Sequence, residues 1–135
     1  MKRKVADYVE QYYKSGYNCA ESALRAANDA WKLDLSDTGF DLMIGFGRGL
    51  TVESICGAVA GSVAAISRYY SVYSDRDNPL LNETVWNFIK TVEARYGSAD
   101  CSVLRAKLWN ESDHCYLTVR YVVDILDEIM ATIDL

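Results

Sequence analysis

The sequence is poor in proline and in basic runs. Pro79 is the only proline among 135 residues, and because proline interrupts helix interiors, this chain is free to form long helices. Lysine and arginine number 14 against 19 acidic residues, and Lys2-Arg3-Lys4 is their only run. We therefore expect no nucleic-acid partner, since the phosphate backbone would be repelled. No apolar stretch is long enough to predict a membrane span.

The sequence also lacks a C-x-x-C motif. Its four cysteines are Cys19, Cys56, Cys101 and Cys115, and their spacing supports neither a thioredoxin-type pair nor a zinc ribbon. The first 14 residues have no apolar segment like that of a signal peptide, which predicts a cytoplasmic protein whose thiols are kept reduced. In that compartment, four cysteines favour metal binding, catalysis or redox sensing over structural disulfides, although simple core packing is the alternative.

Apolar residues recur at helical spacing along the chain, and no alternating strand pattern is present. The sequence therefore predicts an all-α fold, a single helical domain over residues 1–135, built as a bundle of about five to six helices. The predicted helices cover residues 5–13, residues 20–31 after the cap Asn18, roughly residues 52–70, residues 81–96 before Gly97, a short helix capped by Ser98, and a last helix capped by Ser112. A short additional helix is allowed around Leu42, and residues 71–78 are predicted as a loop.

The four cysteines all fall in or near the first turn of a predicted helix. Unpaired backbone N–H groups and the positive end of the helix dipole lie there. That field favours thiolate over thiol, and thiolate is both the nucleophile and the metal ligand. We therefore expect the fold to bring at least three of these cysteines together.

Glycines suggest close approaches near Cys56. Gly57 and Gly61 lie four residues apart on one helix face, where another backbone or a bound group could come close. Gly45, Gly47 and Gly49 precede the same helix and could hold an anion, with a plain turn as the alternative. The candidate cofactor-binding positions are Gly47, Arg48, Gly49, Gly57 and Gly61, and Arg48 either stabilises a nearby thiolate or is solvated.

The remaining polar features give weaker signals. His114, the only histidine, precedes Cys115 and either tunes that thiol or is a solvated residue in the first turn of the last helix. The acidic residues near the end of the chain are expected on a solvated face. They are Asp124, Asp127, Glu128 and Asp134. The apolar stripe of the last helix allows packing against a second copy, as a homodimer.

Several segments together resemble a known family, the C_GCAxxG_C_C family of putative redox-active proteins. Its core motif matches Cys56-Gly57-Ala58-Val59-Ala60-Gly61, and residues 16–21, 45–49, 96–101 and 114–115 resemble the segments around it. Arg48 stands where we would expect another glycine. The resemblance covers nearly the whole chain and implies a redox role for the four cysteines.

The first functional hypothesis is a thiol-based redox protein that cycles between dithiol and disulfide with an unidentified redox partner, as a thiol-dependent oxidoreductase would. It needs no cofactor, and Cys56 is the expected central thiol because glycines open space beside it. The second is a metal-ion or iron–sulfur site with Cys19, Cys56, Cys101 and Cys115 as ligands. The third is a helical interaction protein with inert cysteines.

Overall fold

The computed structural model describes residues 2–134 and is all-α in that range. It has seven α-helices: α1 (Val9–Lys14), α2 (Cys19–Trp31), α3 (Asp37–Asp41), α4 (Gly57–Tyr73), α5 (Leu80–Tyr96), α6 (Cys101–Leu108) and α7 (Tyr116–Met130). The predicted count of five to six was therefore too low. The five residues of α3 are too few to show a hydrophobic period, so periodicity alone does not predict this helix.

Within the described residues, β-type pairing is limited to two isolated bridges, which pair Ile55 with Asp100 and Asn110 with His114. Two 3-10 turns, Val5–Asp7 and Ile44–Phe46, and an irregular turn, Gly49–Glu53, complete the regular elements. In the same part of the chain, none of the helices combines the length and apolar character that a membrane crossing requires.

Helix α4 runs through the middle of the fold and packs against α2, α5 and α7. Its contact with α2 depends on glycine, because a Cβ on Gly61 would lie 2.4 Å from the Ala20 carbonyl oxygen. The close backbone approach expected at the two glycines is thus present, and α2 supplies it. The apolar stripe of α7 is also covered by this chain, since Val119, Val122 and Leu126 are completely buried. These three residues are therefore not available to a second copy, and the homodimer stays a prediction.

The start of α4 differs from the prediction. The helix begins at Gly57 and not near Val52, and Cys56 is the residue before it. Leu50 and Thr51 take left-handed backbone conformations with φ of 61° and 70°, which end any helical path there. At its other end α4 continues to Tyr73, so the predicted loop begins later than expected.

Candidate thiol site

All four cysteines lie at the amino-terminal ends of α-helices. Cys19 and Cys101 are the first residues of α2 and α6, while Cys56 and Cys115 immediately precede α4 and α7. Two predicted caps are wrong, because α6 follows Asp100 rather than Ser98, and α7 follows Cys115 itself. The Ser98 hydroxyl instead accepts a hydrogen bond from the Asp100 N–H at 2.9 Å, in a turn before the helix.

Asn18 fixes the position of Cys19. Its side-chain oxygen accepts a hydrogen bond from the Glu21 N–H at 2.8 Å, which forms the predicted cap, and its amide donates to the Ile44 carbonyl at 3.0 Å. Gly47 packs directly on Asn18, since a Cβ there would lie 2.8 Å from the Asn18 Cβ. The chain that follows Ile44 is therefore held against the start of α2.

A short backbone bridge brings Cys56 and Cys101 together. The Cys56 N–H donates to the Ala99 carbonyl at 2.9 Å, and the Cys101 N–H donates to the Ser54 carbonyl at 2.5 Å. Alternate residues of an extended segment share one side, so Cys56 and Cys101 face the same side of this antiparallel pair. Gly49 completes the packing, because a Cβ on it would lie 2.5 Å from the Cys101 Cβ.

Cys115 is placed by a tight turn and by α1. Asn110 and His114 exchange backbone hydrogen bonds of 3.2 and 2.7 Å, and the Cys115 N–H donates to the Tyr13 hydroxyl at 2.9 Å. His114 is exposed, has a left-handed φ of 54°, and stacks on Trp109 with ring centroids 5.8 Å apart. It therefore lies before α7 and not in its first turn.

The four cysteines line one small inner cavity of about 20 Å³, together with Thr118, Gly57, Arg48 and Arg105. An outer cleft of about 410 Å³ shares Cys19, Cys101, Cys115 and both arginines with it. The cleft walls also include Tyr13, Tyr17, Trp109 and His114. Cys56 is the exception, because it lines only the inner cavity and is 3% exposed.

Cys19 and Cys115 line both the cleft and the inner cavity, and their thiols influence each other's titration. Hydrogen bonding from the Cys19 thiol is the main cause that lowers the pKa of Cys115 to about 6; burial opposes the shift, and the positive charges of Arg105 and Arg48 support it. The same hydrogen bond, together with burial, raises the pKa of Cys19 well above its usual value. We therefore assign Cys19 as the thiol that donates the hydrogen bond and Cys115 as the thiolate that accepts it.

The other two thiols are kept neutral by burial. It raises the pKa of Cys56 to about 11, although the N–H groups of Val59 and Ala58 pull it down. Burial likewise raises the pKa of Cys101. A helix amino terminus contributes roughly 0.3–1 kcal/mol, which is less than one pKa unit. Position at a helix start is therefore not sufficient to produce a thiolate in this site.

Comparison with known families places these cysteines in context. The model of the family described as "putative redox-active protein (C_GCAxxG_C_C)" matches residues 17–129, a range that contains all four. The chain belongs to this C_GCAxxG_C_C family. No curated protein matches the chain, and no solved structure matches it.

Three polar residues of the site were missed in the sequence. Arg105 lies four residues after Cys101, hence on the same face of α6, and this spacing could have revealed it. Tyr13 lies 102 residues from Cys115 and outside the segment that the C_GCAxxG_C_C model matches, so no local pattern points to it. Thr118 lies on a buried apolar face of α7, where a threonine is ordinary.

Of the predicted cofactor-binding residues, the four glycines contact the protein's own atoms. Gly47 packs on Asn18 and Gly49 on Cys101, while Gly57 and Gly61 pack against the start of α2. The space expected beside Cys56 is therefore filled by α2. Arg48, the fifth candidate, is exposed and lines both the cleft and the inner cavity. Its φ of 55° explains why glycine was expected at this position.

The C_GCAxxG_C_C site contains donor atoms that suit a metal, but these atoms are not arranged to coordinate one. Thiolates are the ligands of zinc sites and iron–sulfur clusters. Among residues 2–134, however, no three His, Cys, Asp or Glu side chains are arranged to hold a metal ion. The inner cavity has room for about one water molecule, so a multi-iron cluster does not fit this arrangement.

Proposed function

We propose that the protein is a thiol–disulfide redox protein in which Cys115 attacks and Cys19 resolves. The observation that carries the proposal is that these two thiols line the same solvent-open cleft, where the pKa of Cys115 is lowered and that of Cys19 is raised. Membership in a family described as redox-active supports it. The pKa values of Cys56 and Cys101 are raised, so these thiols stay protonated, and the central role expected of Cys56 is assigned to Cys115 instead.

The reaction follows from the protonation states in the pair. The Cys115 thiolate attacks one sulfur of an incoming disulfide, R–S–S–R, whose sulfur–sulfur bond breaks as R–S⁻ leaves and takes up a proton. The Cys19 thiol then loses its proton and attacks the Cys115 side of the mixed disulfide. A second R–SH leaves, and a Cys19–Cys115 disulfide remains. Two electrons have then passed from the protein dithiol to the substrate disulfide.

Burial of Cys56 and Cys101 limits the number of negative charges in the proposed site. Four thiolates in one site would repel one another and raise each other's pKa. Because these two thiols stay protonated, the negative charge in the site is confined to Cys115, beside Arg105 and Arg48. The proposal assigns Cys56 and Cys101 no step in the transfer. The cytoplasmic location expected from the sequence stays a prediction.

The proposal is tested by mapping the disulfide. Fully reduced protein is treated without oxygen with one equivalent of 2-hydroxyethyl disulfide, then alkylated, digested and analysed by mass spectrometry. We expect one intramolecular link, between Cys19 and Cys115, and alkylated Cys56 and Cys101. A Cys115→Ser variant should form no link, whereas Cys19→Ser should accumulate the mixed disulfide at Cys115. A link formed equally well in Cys115→Ser would contradict the assignment.

A metal site is the second candidate, and the observation that favours it is the single cavity lined by all four cysteines. It would require the thiols to move into a coordinating arrangement. Elemental analysis and acid-labile sulfide on anaerobically purified protein distinguish the two. A stoichiometric metal with all four cysteines protected from alkylation would favour the metal site over thiol–disulfide exchange.

A further inference from the structure

The outer cleft is positively charged in an acidic protein. The chain has a net charge of −5, yet the cleft is lined by Arg48 and Arg105 and by no aspartate or glutamate within residues 2–134. Arg48 is exposed and forms no ion pair with another described residue. Arg105 lies 4.0 Å from Glu53, at the limit of an ion pair, so its charge is only partly offset. The two guanidinium groups therefore present an anion-binding pair beside the thiols.

The size and walls of the cleft favour a small organic molecule. Its volume of about 410 Å³ lies within the range of small-molecule sites, roughly 300–1,000 Å³, and far exceeds what a peroxide fills. Arg105 lies 5.6 Å from the Trp109 ring centroid, and Trp109 stacks on His114. Two aromatic side chains thus lie beside the Arg105 cation in the wall of the cleft.

An unpaired hydroxyl lies deeper in the site. Thr118 is 4% exposed, lines the inner cavity with the cysteines, and its hydroxyl has no hydrogen-bond partner among the described residues. Buried hydroxyl groups usually have a partner. Thr118 does not line the outer cleft, so this hydroxyl belongs to the inner cavity and not to the space in which a substrate would lie.

From these contacts we infer that the cleft binds a low-molecular-weight disulfide that carries carboxylate groups, held at Arg48 and Arg105 with its sulfur–sulfur bond directed toward Cys115. The inference rests on the proposed thiol–disulfide function and names its substrate class. The transfer is balanced as above: the protein dithiol becomes a disulfide, and R–S–S–R becomes two R–SH molecules.

The test compares three short disulfides of different charge with the fully reduced protein. They are 3,3′-dithiodipropionate, with two carboxylates, 2-hydroxyethyl disulfide, which is neutral, and cystamine, with two ammonium groups. Rates of Cys19–Cys115 disulfide formation are measured at low salt and corrected for the intrinsic reactivity of each disulfide with a free thiol. We expect the dianion to react at least ten-fold faster than the neutral compound, and the dication more slowly than either.

Variants that remove one positive charge show which residues cause the preference for the dianionic disulfide. Arg48→Gln and Arg105→Gln should each reduce the dianion-to-neutral rate ratio about three- to ten-fold. The ratio is informative because a change in Cys115 thiolate content slows both reactions equally. Arg76→Gln is the matched control, since Arg76 is exposed, does not line the cleft, and its loss changes the net charge by the same amount. It should leave the ratio unchanged.

The remaining outcomes distinguish failure of the substrate class from failure of the proposed function. Equal corrected rates for the three disulfides, or equal ratios in Arg48→Gln, Arg105→Gln and Arg76→Gln, would overturn the substrate class while the thiol–disulfide function stands. If no disulfide, charged or neutral, oxidises the protein, the proposed function fails and the inference fails with it.

Discussion

The contact between Gly61 and Ala20 makes a quantitative prediction about α2 and α4. In Gly61→Ala the new Cβ would lie 2.4 Å from the Ala20 carbonyl oxygen and 3.0 Å from its Cα. Both are backbone atoms of a helix and cannot rotate away, so the helices must separate. Overpacking of this kind costs about 3 kcal/mol at the upper end of its range, while replacing glycine by alanine inside a helix returns about 1 kcal/mol.

We therefore expect Gly61→Ala to lower the free energy of unfolding by about 2 kcal/mol, or about 1 M in the urea midpoint. Gly45→Ala is the control, because a Cβ at Gly45 meets nothing within 4 Å. Since Ala20 follows Cys19, the separation should also slow formation of the Cys19–Cys115 disulfide. Urea unfolding of the three reduced proteins checks the energies. If Gly61→Ala proved as stable as Gly45→Ala, the close helix contact would be refuted.

Three further predictions concern titrating groups. Tyr13→Phe removes a hydroxyl that hydrogen-bonds to Cys115, so the pH midpoint of Cys115 alkylation should rise above about 6, while Tyr12→Phe should not move it. Cys19→Ala should raise the same midpoint further than Cys19→Ser, because serine keeps a donor; equal midpoints in the two variants would argue against the paired assignment. Burial raises the pKa of Asp127 from 3.8 to about 6, so its stabilising contribution is present below 3.8 and is lost as the pH rises through about 6. Asp127→Asn should therefore lack that loss in urea unfolding measured across this pH range, and curves that fall in parallel with the unaltered protein would contradict it.

Local signals made much of the fold predictable. Asn18 and Glu21 form a complete capping box, and Gly97 ends α5 in a left-handed conformation, as their positions suggested. The placement of Cys19 followed from the Asn18 cap, whereas Cys101 is the first residue of α6 and does not lie three residues after a Ser98 cap, as predicted. The start of α4 was not predictable in this way, because Leu50 and Thr51 are residue types that rarely take left-handed backbone.

Long-range contacts account for the other differences. Asp127 looked like part of a solvated acidic face, but it accepts hydrogen bonds from the N–H groups of Val5 and Ala6 at 2.8 and 3.0 Å. Val5 and Ala6 lie at the opposite end of the chain, so no spacing pattern in the sequence relates them to Asp127. The difference between Cys115 and Cys56 has the same origin, since burial depth and the neighbouring Tyr13 and Arg105 arise only when separate helices meet.

A count of free thiols tests most directly whether the four cysteines form a redox site. Protein purified in air is denatured and titrated with a thiol reagent before and after reduction, and the metal content of the same sample is measured. We predict no more than two free thiols before reduction, four after it, and no stoichiometric metal. Four free thiols in air without metal would contradict the redox account and leave a helical protein with inert cysteines.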